Sequence, residues 1–328
     1  MPKRSPIEEL DRAVEAILGR RDSDVPRGGP RFVALLRVAV DLRDLPRQDF
    51  KARLKTDLQR RASMSTAAKK AVKPIREGFH TITPYLIVPG AAQLIEFMKV
   101  AFGGTEVGRV GRPEGGAIMH AEVKIGDSMI ELADATEQIP PKPAPIHLQV
   151  SDVDAAYKRS LEAGATSIYA PMEHEYGERG SGVVDAFGNH WYIATPFGGR
   201  PIHEGMRSVT LSLHPRGAAQ MIDFVKEAFG AEETSRATSP DGTVVHASVR
   251  IGDSILEMGE AHGPYQPMPC GIHLYVEDTD ALYERALRAG ATSLSAPEDK
   301  PYGDRSAGVT DPFGNQWFIA THIRDVQF

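Results

Sequence analysis

The chain repeats itself at a period of domain size. His-Ala-Glu-Val-Lys-Ile-Gly-Asp-Ser-Met-Ile-Glu at 120–131 returns as His-Ala-Ser-Val-Arg-Ile-Gly-Asp-Ser-Ile-Leu-Glu at 246–257. Gly-Ala-Ala-Gln-x-Ile-x-Phe at 90–97 returns at 217–224, and Asp-x-Phe-Gly-Asn-x-Trp at 185–191 returns at 311–317. The 126 residues between Glu131 and Glu257 are too many for a solenoid unit and suit a duplicated domain. Positions kept in both copies are candidates for a shared role. Positions that differ show where the copies could have specialised.

Composition excludes some classes. Cys270 is the only cysteine, so neither an internal disulfide nor a cysteine-rich zinc site is expected. There is no signal-like N-terminus and no apolar run of ~18 residues to span a membrane, so the expected location is cytoplasmic. The net charge of −6 hides an asymmetry: residues 1–79 carry 19 Lys+Arg against 11 Asp+Glu, a net +8, which leaves −14 for the rest. A basic stretch is most simply a solvated helical surface. It could also dock on the acidic remainder, of the same chain or of a homodimer partner. Phe32 is the only aromatic residue before Phe50, so no platform for stacking nucleic-acid bases is visible.

Pattern predicts an α+β fold. Ser5-Pro6-Ile7-Glu8 opens a helix with a cap, a first-turn proline and a glutamate three residues on. Residues 1–78 read as a small basic helical appendage, followed by domains at 79–198 and 205–323. Each domain holds two βαβββ halves. Strand alternation assigns the faces: Ala121, Val123, Ile125, Ile146 and Leu148 point to the helices, while His120, Glu122, Lys124, Glu131, His147 and Gln149 point away. The second copy places His246, Arg250, Glu257, His273 and Tyr275 likewise. A face carrying His, Glu and aromatic residues in both copies suits a lined cavity.

The hairpin allows a register prediction. With Gly126-Asp127 as a two-residue turn, Ile125 pairs with Ser128, Lys124 with Met129, and Glu122 with Glu131. Two carboxylates face to face need compensation, from Lys124, a bound cation or a shared proton. In the second copy Glu257 faces Ser248 instead. Glu131, Glu122 and Glu257 are the candidate catalytic residues, and if only one copy is active, the first, with its carboxylate pair, is the one expected.

These motifs together resemble the vicinal oxygen chelate superfamily (glyoxalase I, bleomycin-resistance proteins, extradiol dioxygenases), tandemly duplicated, and most closely its PhnB-like branch. The resemblance implies that two halves curl into a cup, with metal ligands on the first and last strands of each half. Carried over, those positions are Thr83, Glu131, Pro145 and Tyr192, then Thr210, Glu257, Gly271 and Phe318. Only the glutamates match the His, Glu or Gln ligands that the resemblance implies. A substitute set, His120, Glu131 and His147, would suit Fe, Mn, Ni or Zn, and His246, Glu257 and His273 repeat it. The alternative is that these residues line a metal-free polar pocket. Thr83, Tyr85, Lys124, Gln149, Tyr192, Arg250, Tyr275 and Phe318 are candidate ligand contacts. Arg179 and Arg305, in the repeated Tyr-Gly-(Glu/Asp)-Arg loop, are candidates for an anionic group, or else brace the loop. His190, His203 and His214 are unmatched between copies and read as surface. Asp185 and Asp311 read as turn-fixing residues, and Trp191 and Trp317 as core. Three functions follow: a cation-dependent lyase, isomerase or dioxygenase; a metal-free ligand-binding or sequestration protein; or a ligand sensor with the basic N-terminus as output.

Overall fold

A computed structural model describes residues 72–111, 116–196 and 205–326. The helices expected before residue 72 lie outside the described residues, as does His203.

Four modules share one plan. The first is β1 (Ile82–Val88), α1 (Ala91–Phe102), β2 (Thr105–Gly111), β3 (Ile118–Ile125) and β4 (Ser128–Asp134). The second is β5 (Pro145–Gln149), α2 (Val153–Glu162), β6 (Thr166–His174), β7 (Glu178–Val184) and β8 (His190–Pro196). The third is β9 (Val209–Leu213), α3 (Ala218–Phe229), β10 (Glu232–Thr238), β11 (Val244–Ile251) and β12 (Ser254–Met258). The fourth is β13 (Gly271–Tyr275), α4 (Thr279–Arg288), β14 (Thr292–Asp299), β15 (Asp304–Thr310) and β16 (Gln316–His322).

The helices start where local chemistry satisfies their free N–H groups. Asp152 and Asp278 cap α2 and α4, accepting from Ala155 and Ala281 at 3.0 Å. In α1 and α3 a glycine occupies the cap, and an acidic side chain at or just past the end of the neighbouring strand stands in. Asp134 accepts from Gly90 and Ala91, and Glu260 accepts from Gly217 and Ala218. The apolar faces of all four helices and both sheets join one core, with Trp191 and Trp317 fully buried in it. Each tryptophan donates its indole N–H to the aspartate of its motif at 2.9 Å. The same Asp185 and Asp311 also accept from Asn189 and Asn315, so the Asp-x-Phe-Gly-Asn-x-Trp motif closes a buried turn.

The sheets do not follow the repeats. One eight-stranded sheet runs β14-β15-β16-β13-β1-β4-β3-β2, and the other runs β10-β11-β12-β9-β5-β8-β7-β6. The first module thus pairs with the fourth through antiparallel β1 and β13, and the second with the third through β5 and β9. Each sheet draws one module from each repeat.

The Ile-Gly-Asp-Ser hairpins tie the sheets together. Asp127 in the β3–β4 turn accepts from the Ser208 backbone N–H at 2.8 Å, and Ser208 Oγ accepts from Asp127 N at 3.3 Å. Asp253 and Thr81 make the reciprocal pair at 2.8 and 3.2 Å. Arg207 reaches both aspartates, at 3.7 and 3.3 Å. Among the described residues, no helix is long and apolar enough to cross a membrane.

Candidate functional site

Two clusters of His and Glu lie on the sheet faces opposite the helices, one per sheet. In the first, the β3–β4 register pairs Glu122 with Glu131 and Lys124 with Met129, as the turn predicts. Glu131 is 2% exposed. Its Oε2 lies 2.5 Å from His273 Nδ1, contributed by β13 of the other repeat. His120 Nε2 is 3.1 Å from Glu122 Oε1 and 3.9 Å from Glu131 Oε1. Of the compensations considered, Lys124 is exposed, and the charge that meets Glu122 comes from Arg76. Its guanidinium donates to Glu122 and lies 4.1 Å from the centroid of the Phe79 ring.

Burial works against charge on Glu122, but its bonds to His120 and Arg76 outweigh that and hold the carboxyl below its ordinary value. Burial also disfavours the charged His120, yet the Glu122 bond and the charges of Glu131 and Glu122 raise it. Tyr85 stacks on His120 at 6.0 Å and meets Phe318 edge-on at 5.2 Å. Tyr275 donates to Asp304 at 3.0 Å, and Asp304 also binds His322 at 2.7 Å. The stretch from Pro74 to Phe79 is packed onto this site: His322 N–H donates to the Pro74 carbonyl, and Phe79 meets Tyr275 edge-on at 5.7 Å.

In the second cluster Glu257 faces Ser248, as expected. His147 Nδ1 lies 2.7 Å from Glu257 Oε2, and His246 Nε2 lies 3.3 Å from Oε1. The other nitrogen of His147 is 3.7 Å from Glu178 Oε2. Burial opposes charge on both partners of the His147–Glu257 pair, but their mutual attraction wins. Glu257 is held far below the ordinary carboxylate value, and His147 is raised to about 9. Tyr192, Tyr265 and His214 form an aromatic group beside this pair, with ring centroids 4.9–5.7 Å apart. Burial first, then His262, pushes His214 down to about 4.

The expected groupings need exchange. His147 does not join His120 and Glu131; His273 does. Conversely, His147 joins His246 and Glu257. Both swaps follow from the β1–β13 and β5–β9 pairings, which set Thr83 opposite His273 and Thr210 opposite His147. Arg179 and Arg305 lie on the helix side, bound to Asp154 and Asp280 in the first turns of α2 and α4. They brace those helices. Arg250 is half-buried one strand position from the hairpin turn. His214 is a wall of the second site rather than open surface. The sequence reading missed Arg76, Glu178, Asp304 and Tyr265. Arg76 and Tyr265 lie in irregular segments where alternation gives no signal, whereas Glu178 and Asp304 are matched between copies and on strands.

A family model of the Glyoxalase/Bleomycin resistance protein/Dioxygenase superfamily matches residues 78–193 and 211–319. The chain belongs to this superfamily. An uncharacterized protein of Mycobacterium bovis is 42% identical over 120 residues, spanning 33% of this chain and 79% of its own length. An uncharacterized protein of Mycobacterium tuberculosis matches equally, over 71% of its length. The crystal structure of glyoxalase I from Zea mays is similar in fold, with a TM-score of 0.54 at 15% identity, over 73% of this chain and 92% of that one.

Superfamily members typically use divalent metals, so the fit of such an ion matters. His120, Glu122 and Glu131 offer ligand atoms within 4.8 Å of one another. The donor types suit a borderline cation, but Glu122 already accepts from Arg76 and His120, and Glu131 accepts from His273. An ion would have to displace a guanidinium that is already paired. In the second site Ser248 stands where the first has Glu122, and both Glu257 oxygens serve histidines. As arranged, the carboxylates of both sites are engaged by side chains of the chain itself, and in the first an ion would compete with Arg76.

Proposed function

We propose that this superfamily member, of the PhnB-like branch by its motifs, is a metal-independent small-molecule-binding protein whose ligand site is the second cluster. The observation that carries this reading is that Glu122 and Glu257 are each already paired with a cation of the chain itself, Arg76 and His147, while Glu131 is bonded to His273. Glu257 is also poorly suited to act as a general base near neutrality. A base works best with a pKa near the operating pH, and His147 holds Glu257 far below that. The pair is better read as a fixed polar anchor. The first site, with Pro74–Phe79 packed on it, is read as the closed counterpart.

A second reading, a cation-dependent lyase, isomerase or dioxygenase acting through Glu122 and Glu131, is favoured by the converging His120–Glu122–Glu131 atoms. It requires Arg76 to leave. One experiment separates the two. Protein purified without a histidine tag is dialysed against Zn, Mn, Fe or Ni, its metal content is measured, and a fragment library is screened by ligand-observed NMR with and without chelator. We expect fewer than ~0.1 equivalents of metal in the native protein, measurable uptake in Arg76→Ala, and fragment binding at the second site that chelator leaves unchanged. Stoichiometric metal in the native protein, or binding abolished by chelator, contradicts the proposal.

A further inference from the structure

The second site has a smaller side chain beside its central glutamate and is less satisfied than the first. Ser212 sits beside Glu257 where the first site has Tyr85 beside Glu131. Gln149 occupies the position that Tyr275 holds in the first site, and Glu178 the position of Asp304. Tyr275 is 1% exposed, and its hydroxyl bond to Asp304 continues to His322. That network is complete. Gln149 donates through Nε2 to Glu178 at 3.1 Å, but its Oε1 is buried and has no hydrogen-bond partner among the described residues. With Gln149 only 9% exposed, this is a buried acceptor awaiting a donor. Flipping the amide would set the oxygen against the Glu178 carboxylate and bury the amide N–H groups in its place, a worse exchange even with His147 Nε2 3.5 Å away.

The groups around this oxygen point to what would fill it. Glu257 is matched by His147, but the contacts of Glu178 among the described residues are the Gln149 amide and the more distant His147 nitrogen. The unmet groups are therefore an acceptor and a carboxylate. Tyr192 lies opposite His147 in the β5–β8 register, its ring 5.4 Å from that of Tyr265, and aromatic faces attract cations. The first site holds a cation in comparable surroundings, since the Arg76 guanidinium lies on a carboxylate and over an aromatic ring.

We infer that the second site binds an organic ammonium, a protonated amine on an apolar body, with its N–H groups taken by Gln149 Oε1 and the Glu178 carboxylate. This rests on the reading that the second cluster is the ligand site. An anion would meet Glu178 unfavourably, and a neutral alcohol could donate once but would carry no charge.

Three probes of one shape test this on the full chain: benzylammonium, benzyl alcohol and benzoate, titrated by calorimetry and located by NMR. Benzylammonium is expected to bind about tenfold or more tightly than benzyl alcohol, with benzoate weakest. Glu178→Gln and Gln149→Met should each weaken benzylammonium by about tenfold and leave benzyl alcohol within about twofold. Glu96→Gln, on the exposed face of α1, should change none of them. The inference is overturned if benzoate or benzyl alcohol binds as well as benzylammonium, if none of the three binds, or if folded Glu178→Gln and Gln149→Met both bind benzylammonium like the parent. Should the fragment screen still place other ligands in the second site, only the ammonium assignment fails. Should it place none there, the site reading fails with it.

Discussion

His147→Leu is expected to destabilise the protein by about 3–5 kcal/mol, because it leaves Glu257 as a buried carboxylate without its main partner. Glu257 is 5% exposed, and His246 at 3.3 Å is the weaker of its two imidazole contacts. The loss should depend on pH with a defined sign. Glu257 is depressed in the folded state, so its contribution is present above its unfolded value and fades only in acid. His147 is raised from an ordinary 6.5 to about 9. Its contribution is complete below the unfolded value and is lost as pH rises through the folded one. Denaturant midpoints of parent and variant should therefore lie furthest apart near pH ~6 and converge toward pH ~9 and above. A gap of constant size across that range would show that His147 contributes packing alone.

Gly252→Ala should cost about 3 kcal/mol or more, from two sources. The residue has φ +57°, a left-handed conformation that costs a residue with Cβ about 1–2 kcal/mol. The added Cβ would also lie 2.2 Å from Thr81 Oγ1, an overpacking worth about 1–3 kcal/mol. Thr81 cannot turn away without losing its bond from Asp253 N–H. Gly126→Ala should behave alike, with Ser208 Oγ at 2.1 Å. Gly103→Ala supplies the control: its φ is +71° but nothing lies within 4 Å of the new Cβ, so only the backbone cost of ~1–2 kcal/mol applies. Thermal denaturation of the three variants checks the ranking. If Gly103→Ala is as damaging as the other two, the hairpins do not clasp the sheets as described.

Much of the architecture was legible in the sequence, for identifiable reasons. Alternation placed His120, Glu131 and His147 opposite the helices because one face of each strand is packed and the other is not. The Gly126-Asp127 turn fixed the Glu122–Glu131 register because a two-residue loop permits one pairing. The choice of sheet partner was not legible. All four modules carry the same face pattern, so an edge such as β1 could accept either β5 or β13 without exposing a core residue. The histidine exchange follows from that degeneracy. Arg179 and Arg305 could have been placed correctly, since alternation from Glu178 and Asp304 turns each arginine toward the helices. Arg76 offered no such cue, because it precedes the first strand.

The central claim is that each buried glutamate is served by a histidine of the other repeat. Double-mutant cycles on unfolding free energy test it directly, with Glu131→Gln and Glu257→Gln each combined with His147→Gln and His273→Gln. The account predicts coupling of about 1–3 kcal/mol for Glu131 with His273 and for Glu257 with His147, and additivity within ~0.5 kcal/mol for the two crossed pairs. Coupling between Glu131 and His147, with none between Glu131 and His273, would contradict it and return each site to a single repeat.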